Sequence, residues 1–309
     1  MSGTDSPLAY RNGQWIPAEQ LLLPPTDAGF VLGATVAEQM RTFGGRLFRV
    51  AEHFSRLSRS LEIVGLTLPI SISELMQAAE RLASHNHSLL QPGDDLGLTL
   101  FVTPGPYPTY VPTGGTPLIG MHTFSLPFGN WVELYRRGQS VVVTQIRQVP
   151  ASCWPPELKC RSRMHFYLAD REARAREPGA RAVLLDMDGY VTEASTANIV
   201  LYRADEGLIS PPRHSILPGV SLSVLEELAQ QLGLKLIFRP VRPEEILQAD
   251  EVFLTSTSPC LVPVTRCNAQ PIGRGTPGPI FEQLISAWSE LVGLDIRQQA
   301  QQFAHRAPT

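Results

Sequence analysis

The sequence predicts an α/β or α+β fold, on three observations. Runs with apolar residues at every second position alternate with segments whose apolar residues recur every three or four positions. The loops between them are rich in Pro and Gly, and no repeat or low-complexity tract interrupts the pattern. The 309 residues, 43% hydrophobic and 18% charged, supply apolar content for one large or two medium cores, which sets aside fibrous and wholly disordered classes.

Taken in order, residues 52–63 (EHFSRLSRSLEI) place Phe54, Leu57 and Leu61 at helical spacing and leave His53, Arg56 and Ser60 on another face. A second helix near 72–84 precedes the polar loop SHNHSLLQPGDD and the strand-like GLTLFVT. The Pro- and Gly-laden 104–118 and the turn-rich SLPFGNW mark a junction around 126–136. The expected domains are therefore 1–130 (N-terminal, α/β) and 131–309 (C-terminal). The second part opens with the strand-like SVVVTQIRQV, and a helix near 163–177 ends at Pro178-Gly179. In RAVLLDMDGYVTEASTANIVLYR, Asp188-Gly189 between two apolar runs signals a hairpin and puts Glu193 at a strand end. SILPGVSLSVLEELAQQLG reads as a loop entering a helix at about Gly219, with Val224, Leu225, Leu228 and Leu232 as its buried stripe. The N–H groups of Val220 and Ser221 then face outward in anion-binding geometry. ADEVFLTSTS runs a strand into the hydroxyls of Ser256, Thr257 and Ser258.

Several chemistries lack support. A formal net charge of -3 gives no basic field for a nucleic-acid partner. No apolar run approaches the roughly 20 residues needed to cross a bilayer, and the start lacks a signal-peptide pattern, so no membrane partner and a cytoplasmic location are expected. Cys153, Cys160, Cys260 and Cys267 form no C-x-x-C pair and are expected as reduced thiols. His85 and His87 share a polar loop with no third ligand, so no metal is expected. Gly273-Arg-Gly275-Thr-Pro-Gly278 spells G-x-G-x-x-G, but Pro277 lies inside it and no returning strand follows, so it reads as a turn.

Lysine is the informative residue. Of 26 basic residues only Lys159 and Lys235 are lysines, so a lysine retained in so arginine-rich a chain is a candidate for chemistry arginine cannot perform: losing a proton and attacking a carbonyl. Lys235, in LGLKLIF, fits the solvent face of a strand, whereas Lys159, in PPELKCRSRMHF, does not. Lys159, an acid after a hairpin, an arginine on an early helix and two anion-suited loops are what pyridoxal phosphate uses. Its aldehyde takes a lysine, its pyridine nitrogen a carboxylate, and its phosphate backbone donors and an arginine.

The segments DAGFVLGATVAEQMRTFGGRLFRVAEHFSRL, LKCRSRMHFYLADREA, DMDGYVTEASTANIV, SPPRHSILPGVSLSVLEELA, ADEVFLTSTSPCLVPV and PIGRGTPGPI cover nearly the whole chain. In that order the sequence resembles the class IV (fold type IV) pyridoxal-phosphate enzymes: branched-chain aminotransferases, D-amino-acid aminotransferases and aminodeoxychorismate lyases. The resemblance implies a two-domain fold, with a smaller N-terminal α/β domain and a larger C-terminal α/β domain carrying a barrel-like sheet, in a homodimer. It implies Lys159 as the Schiff-base and catalytic lysine, Glu193 as the partner of the pyridine nitrogen and Arg56 as the phosphate-binding arginine. Leu217 resembles the residue packed on the cofactor ring, while Val220, Ser221, Ser256 and Thr257 resemble phosphate donors. The implied reaction is ping-pong transamination between a small amino donor, an amino acid or an amine, and a 2-keto acid. A lyase releasing pyruvate, and a vitamer-binding protein without turnover, are the alternatives.

The sequence departs from the family in the substrate region. Five residues after the lysine, where branched-chain enzymes commonly carry tyrosine, stands Met164, and Ala37 occupies a place where the family usually has an aromatic. Residues 95–111 contain neither the Tyr-x-Arg of branched-chain enzymes nor the Arg-x-His of D-amino-acid enzymes. Arg41, Arg161 and Arg163 are then the candidates for the substrate carboxylate, because guanidinium grips it in a bidentate fork.

Overall fold

The computed structural model describes residues 6–113 and 115–306. The chain divides into two compact units, Met1–Leu126 with Leu158–Ser162, and Pro127–Glu157 with Arg163–Thr309.

The first unit is built on β1 (Leu8–Arg11), β2 (Gln14–Pro17), β3 (Val36–Phe43), β4 (Arg46–Leu47), β5 (Leu96–Thr103) and β6 (Leu118–Ser125). They form one antiparallel sheet in the order β2-β1-β6-β5-β3-β4. Its helices are α1 (Ala28–Val31), α2 (Val50–Val64) and α3 (Ile72–His87). Leu57 and Leu61 of α2 and Leu75 and Leu82 of α3 pack with Met40, Leu98 and Leu100 of the sheet in one core. Gly65, at φ +69°, ends α2 in the left-handed conformation that glycine adopts without strain. A capping box starts α3: Glu74 N–H donates to Ser71 Oγ, and Ser71 N–H donates to the Glu74 carboxylate.

Two expectations change here. Helix α3 runs on to His87, so His85 and His87 lie in its last turn and not in a loop. A tertiary anchor extends it: buried Asn86 accepts from Leu8 N–H and donates to Leu8 O, both at 2.8 Å. In α2 the face of His53, Arg56 and Ser60 is as buried as the apolar stripe.

The second unit contains β7 (Gln139–Arg147), β8 (Arg181–Leu185), β9 (Val191–Ala194), β10 (Asn198–Arg203), β11 (Gly207–Ser210), β12 (Leu236–Phe238), β13 (Glu251–Ser256), β14 (Cys260–Cys267) and β15 (Gln270–Pro271). The sheet order is β12-β11-β10-β13-β14-β7-β8-β9, with β15 on β14. Strand β7 is parallel to both neighbours, as β11 is to β12, and the other pairs are antiparallel. An isolated bridge from Ala194 to Ala197 joins the edge strand β9 to the head of β10, so the sheet curls into part of a barrel. Around it lie α4 (Phe128–Arg137), α5 (Met164–Arg176), α6 (Val220–Gln231), α7 (Glu244–Gln248), α8 (Pro279–Val292) and α9 (Ile296–Gln302).

The SLPFGNW segment, read as turn-rich, enters α4 because Phe128, Trp131 and Tyr135 recur at helical spacing and are buried. A division at 130/131 would cut that helix. The Asp188-Gly189 turn is present, with Asp186 Oδ1 accepting from the N–H groups of Asp188 and Tyr190. Lys235 is exposed just before β12. Gly273 and Gly275, both at positive φ, make a turn between β15 and α8. Among the described residues no helix is long and apolar enough to cross a membrane.

Leu98 is fully buried in β5 and is part of the first core. Leu98→Ala is expected to lower the unfolding free energy by about 2–5 kcal/mol, through lost transfer energy and the cavity left behind, read as a fall in urea midpoint at constant m-value.

Candidate active site

Lys159 is held from both sides of its backbone. Ala37 N–H donates to Lys159 O at 3.0 Å, Arg161 N–H donates to Thr35 O at 2.8 Å, and Lys159 N–H donates to Ser60 Oγ at 3.1 Å. With Ser162 Oγ donating to Gly33 O at 2.7 Å, residues 158–162 form a short extended segment beside the start of β3. The lysine is half-buried, and Ala37, almost fully buried, is its main-chain partner.

Alternation along β3 puts Glu38 on the same face as Val36 and Met40, both part of the apolar core. Its carboxylate accepts from Arg56 Nε at 2.7 Å and Nη2 at 2.8 Å, and from His53 Nδ1 at 2.8 Å. Burial works against the Glu38 charge, but the Arg56 charge and the hydrogen bonds from Arg56 and His53 prevail and hold its pKa down at about 2. Burial first, then the positive charges of Arg56 and Lys159, push the His53 imidazole below its ordinary value against the pull of Glu38. His53 is therefore neutral, with Nδ1–H donating to Glu38. The 3.3 Å approach of Arg56 Nη2 to His53 Nδ1 is two donors sharing one acceptor oxygen. Arg56 is thus presented by a carboxylate that fixes the plane of its guanidinium.

The three substrate candidates differ. Arg41 is fully buried, its Nε donating to Thr42 O at 3.1 Å and its guanidinium lying 4.0 Å from the centre of the Phe43 ring. It is no surface charge. Arg161 is exposed; with burial as the larger cause, its charge helps push the His122 imidazole down. Arg163 is half-buried at the start of α5, and Met164, the first residue of that helix, is exposed.

In the second unit Glu193 is buried within β9, not at its end. Val183 pairs with Ala194 but Leu185 with Val191, so Thr192 and Glu193 together stand opposite Leu184. This bulge re-aims Glu193, as bulges do beside functional sites. Its Oε1 accepts from Gln148 Nε2 at 2.6 Å. Beyond β9 the chain turns tightly through Thr196, at φ +64°, and Ser195 Oγ donates to Asp170 Oδ1 of α5 at 2.6 Å. Asp170 Oδ1 also accepts from Ala182 N–H, tying helix, strand and turn together.

That turn delivers Asn198, which pairs with Thr255 across β10 and β13 and donates from Nδ2 to Leu217 O at 3.0 Å. Asn198 thereby links Leu217 and the α6 start, through its side chain, to the end of β13 that leads into Ser256, Thr257 and Ser258, through its strand pairing. A Cβ on Gly219 would overlap the Asn198 carboxamide. The first helical bond of α6 runs from Ser223 N–H to Gly219 O, so the N–H groups of Val220 and Ser221 precede it. Glu193, Leu217, Val220, Ser221, Ser256 and Thr257 therefore belong to one end of one sheet. Among the described residues no three His, Cys, Asp or Glu side chains are grouped to hold a metal ion. Glu38, Gln148, Asp170 and Asn198 were not singled out from sequence. A charge in phase with Val36 and Met40 was a usable signal for Glu38, whereas the other three have none.

Residues 35–267 match the family model of class IV amino-transferases, and the chain belongs to that family. It is an aminotransferase. Over 280 residues it is 30% identical to a D-alanine aminotransferase of Bacillus licheniformis, covering 89% of this chain and 94% of that one. It is 28% identical over 286 residues to a Thermotoga maritima protein named a probable branched-chain-amino-acid aminotransferase, covering 92% and 96%. The fold matches the branched-chain amino acid aminotransferase of Escherichia coli with a TM-score of 0.83 at 23% identity, over 93% of this chain and 95% of that one. It also matches a T.th. branched-chain amino acid aminotransferase solved with pyridoxamine 5'-phosphate, at a TM-score of 0.82 and 24% identity, over 93% and 95%.

Glu38→Gln leaves the Arg56 guanidinium without its carboxylate and is expected to cost about 3–5 kcal/mol of stability near neutral pH. Because the Glu38 pKa is depressed from 4.5 to about 2, its contribution is complete above pH 4.5 and is lost as the pH falls toward 2. Urea unfolding across that window should show the gap between wild type and Glu38→Gln closing with acid.

Proposed function

We propose that this aminotransferase uses pyridoxal 5'-phosphate to move an amino group from an amino acid, or an amine, to a 2-keto acid in two half-reactions. The donor set suits such a group, which combines an anionic end with a basic ring nitrogen. The sheet end in the second unit offers first-turn N–H groups and hydroxyls for an anion, and a buried carboxylate for a protonated nitrogen. When bound, the cofactor supplies a carbonyl that accepts the amino group and a ring that takes up electrons from the substrate carbon.

Lys159 Nζ would be the amine that holds the cofactor and, when free, the base that moves a proton at the substrate carbon. Glu193 keeps the pyridine nitrogen protonated. In the second unit Val220, Ser221, Ser256 and Thr257 would offer donors to the phosphate and Leu217 would pack on the ring; in the first, Arg56, oriented by Glu38, is the arginine suited to an anion. Arg161 and Arg163 are the carboxylate candidates that reach solvent at least in part, and Arg41 serves from within the fold. Ala37 borders Lys159 and gives the substrate more room than an aromatic there. The relatives' names favour transfer over lyase chemistry and point to small amino acids or branched-chain ones. A homodimer in the cytoplasm completes the reading, and the dimer is checked by sedimentation.

One observation carries the proposal: a lysine that is one of only two in the chain is fixed at both ends of its backbone, its carbonyl accepting from Ala37 N–H of β3 and its N–H donating to Ser60 Oγ of α2. The test is the visible spectrum of the purified protein loaded with pyridoxal phosphate and titrated with L- and D-amino acids singly. A band that bleaches with one enantiomeric series, returns on adding a 2-keto acid and is lost in Lys159→Ala is expected. No band in the loaded wild type ends the proposal, and pyruvate release from aminodeoxychorismate without that return replaces it with the lyase.

Gly219→Val forces the Asn198 carboxamide away from Leu217 and should weaken pyridoxal phosphate binding about tenfold or more with the fold retained. Titration of the cofactor band against circular dichroism of the same sample checks it.

A further inference from the structure

The amide of Gln148 donates to the carboxylate of Glu193, and its setting is unusually determined. Gln148 lies one residue past β7, where its N–H donates to Leu185 O at 2.9 Å and continues the β7–β8 pairing. Leu185 in turn pairs with Val191 on β9, two residues before Glu193. Gln148 Oε1 accepts from Val149 N–H at 2.9 Å, so the other end of the amide, Nε2, must be the one that meets Glu193 Oε1 at 2.6 Å. Flipping the amide would set oxygen against a carboxylate oxygen and an NH2 group against a backbone N–H, losing both bonds. Glu193 sits in the bulge opposite Leu184, where strand alternation no longer dictates its direction, so a side-chain bond has to.

We propose that Gln148 is a positioning residue for transamination. By donating from Nε2 it holds the Glu193 carboxylate in the one orientation from which it keeps the pyridine nitrogen protonated. The inference rests on the reading of Glu193 as that nitrogen's partner. What matters is an N–H donor at this reach, delivered from the end of β7, and not the amide as such. Gln148 touches neither substrate nor cofactor in this role; it acts through Glu193.

The test uses full-length enzyme loaded with pyridoxal phosphate carrying 15N in the ring, comparing wild type with Gln148→Leu, Gln148→Arg, Glu193→Gln and the double variant Gln148→Leu/Glu193→Gln. Gln148→Leu is expected to lower kcat about 10- to 100-fold, the usual effect of removing a partner that orients a functional group, with KM for the amino donor changed less than about threefold. Its ring-nitrogen 15N resonance should move toward the unprotonated position. Gln148→Arg, which retains an N–H donor, should recover most of both, and adding Gln148→Leu to Glu193→Gln should cost nothing further. An unchanged 15N resonance and kcat in Gln148→Leu overturn the proposal, as does an equal loss in the Glu193→Gln background. If Gln148→Leu does not fold, Gln148→Asn, whose shorter amide falls short of Glu193, is judged by the same readouts. A Glu193→Gln enzyme whose ring nitrogen stays protonated overturns the role of Glu193 itself, and the inference with it. Loss of the cofactor band on Lys159→Ala is unaffected by that result, so the two failures are told apart.

Discussion

The main-chain hydrogen bond from Ala37 to Lys159, with its neighbour from Arg161 to Thr35, is the interaction on which the placement of Lys159 in the first unit depends. It recruits five residues from mid-chain to a sheet whose strands otherwise come from the first 126 residues. Once they are there, Lys159 has a fixed backbone beside β3, and Ser60 of α2 caps its N–H. Backbone bonds of this kind resist displacement, because a buried N–H or C=O left unpaired costs more than the bond contributes. The proposed role of Lys159, a side chain that gives up and regains a covalent partner, is best served by such a rigid backbone.

Around that segment the charges are arranged at a cost. Glu38, Arg56 and His53 are nearly dry, and desolvating an ion pair of this kind can offset its Coulomb attraction. What the arrangement secures is direction. A carboxylate that accepts from Nε and Nη2 fixes a guanidinium plane in a way that a lone lysine ammonium, a point charge on a flexible stem, would not permit. In a chain with 24 arginines and two lysines, the proposed roles divide along that chemistry: arginine for holding anions, lysine for exchanging a proton and a bond.

The second unit solves its positioning problem with irregularities. The bulge at Thr192 and Glu193, the left-handed Thr196 and the bond from Ser195 to Asp170 all fall within five residues, where a regular strand would have carried Glu193 by alternation alone. Asn198 then ties the Leu217 loop to β10 with its side chain, and Gly219 is needed because the Asn198 carboxamide fills the space a Cβ would take. Local strain of this type persists where surrounding bonds over-determine the conformation.

Periodicity, turn chemistry and residue choice by themselves determined much of this protein. The apolar stripe of α2, the entry of α6 at Gly219 and the hairpin at Asp188-Gly189 are local and each has its counterpart in the structure, while the order of the family segments agrees with the family model. Only the tertiary structure decided that the polar face of α2 is buried around Glu38, that Arg41 is fully enclosed, and that His85 and His87 belong to a helix held by Asn86. The same is true of residues 158–162 joining β3, and of the amide that aims Glu193. The physical reason is separation along the chain. Hydrophobic period reports which side of an element is dry, through neighbours three or four positions away. A bond such as that from Lys159 N–H to Ser60 Oγ, between residues 99 apart, leaves no trace in either local sequence and exists only once the sheet and helices have brought the two together.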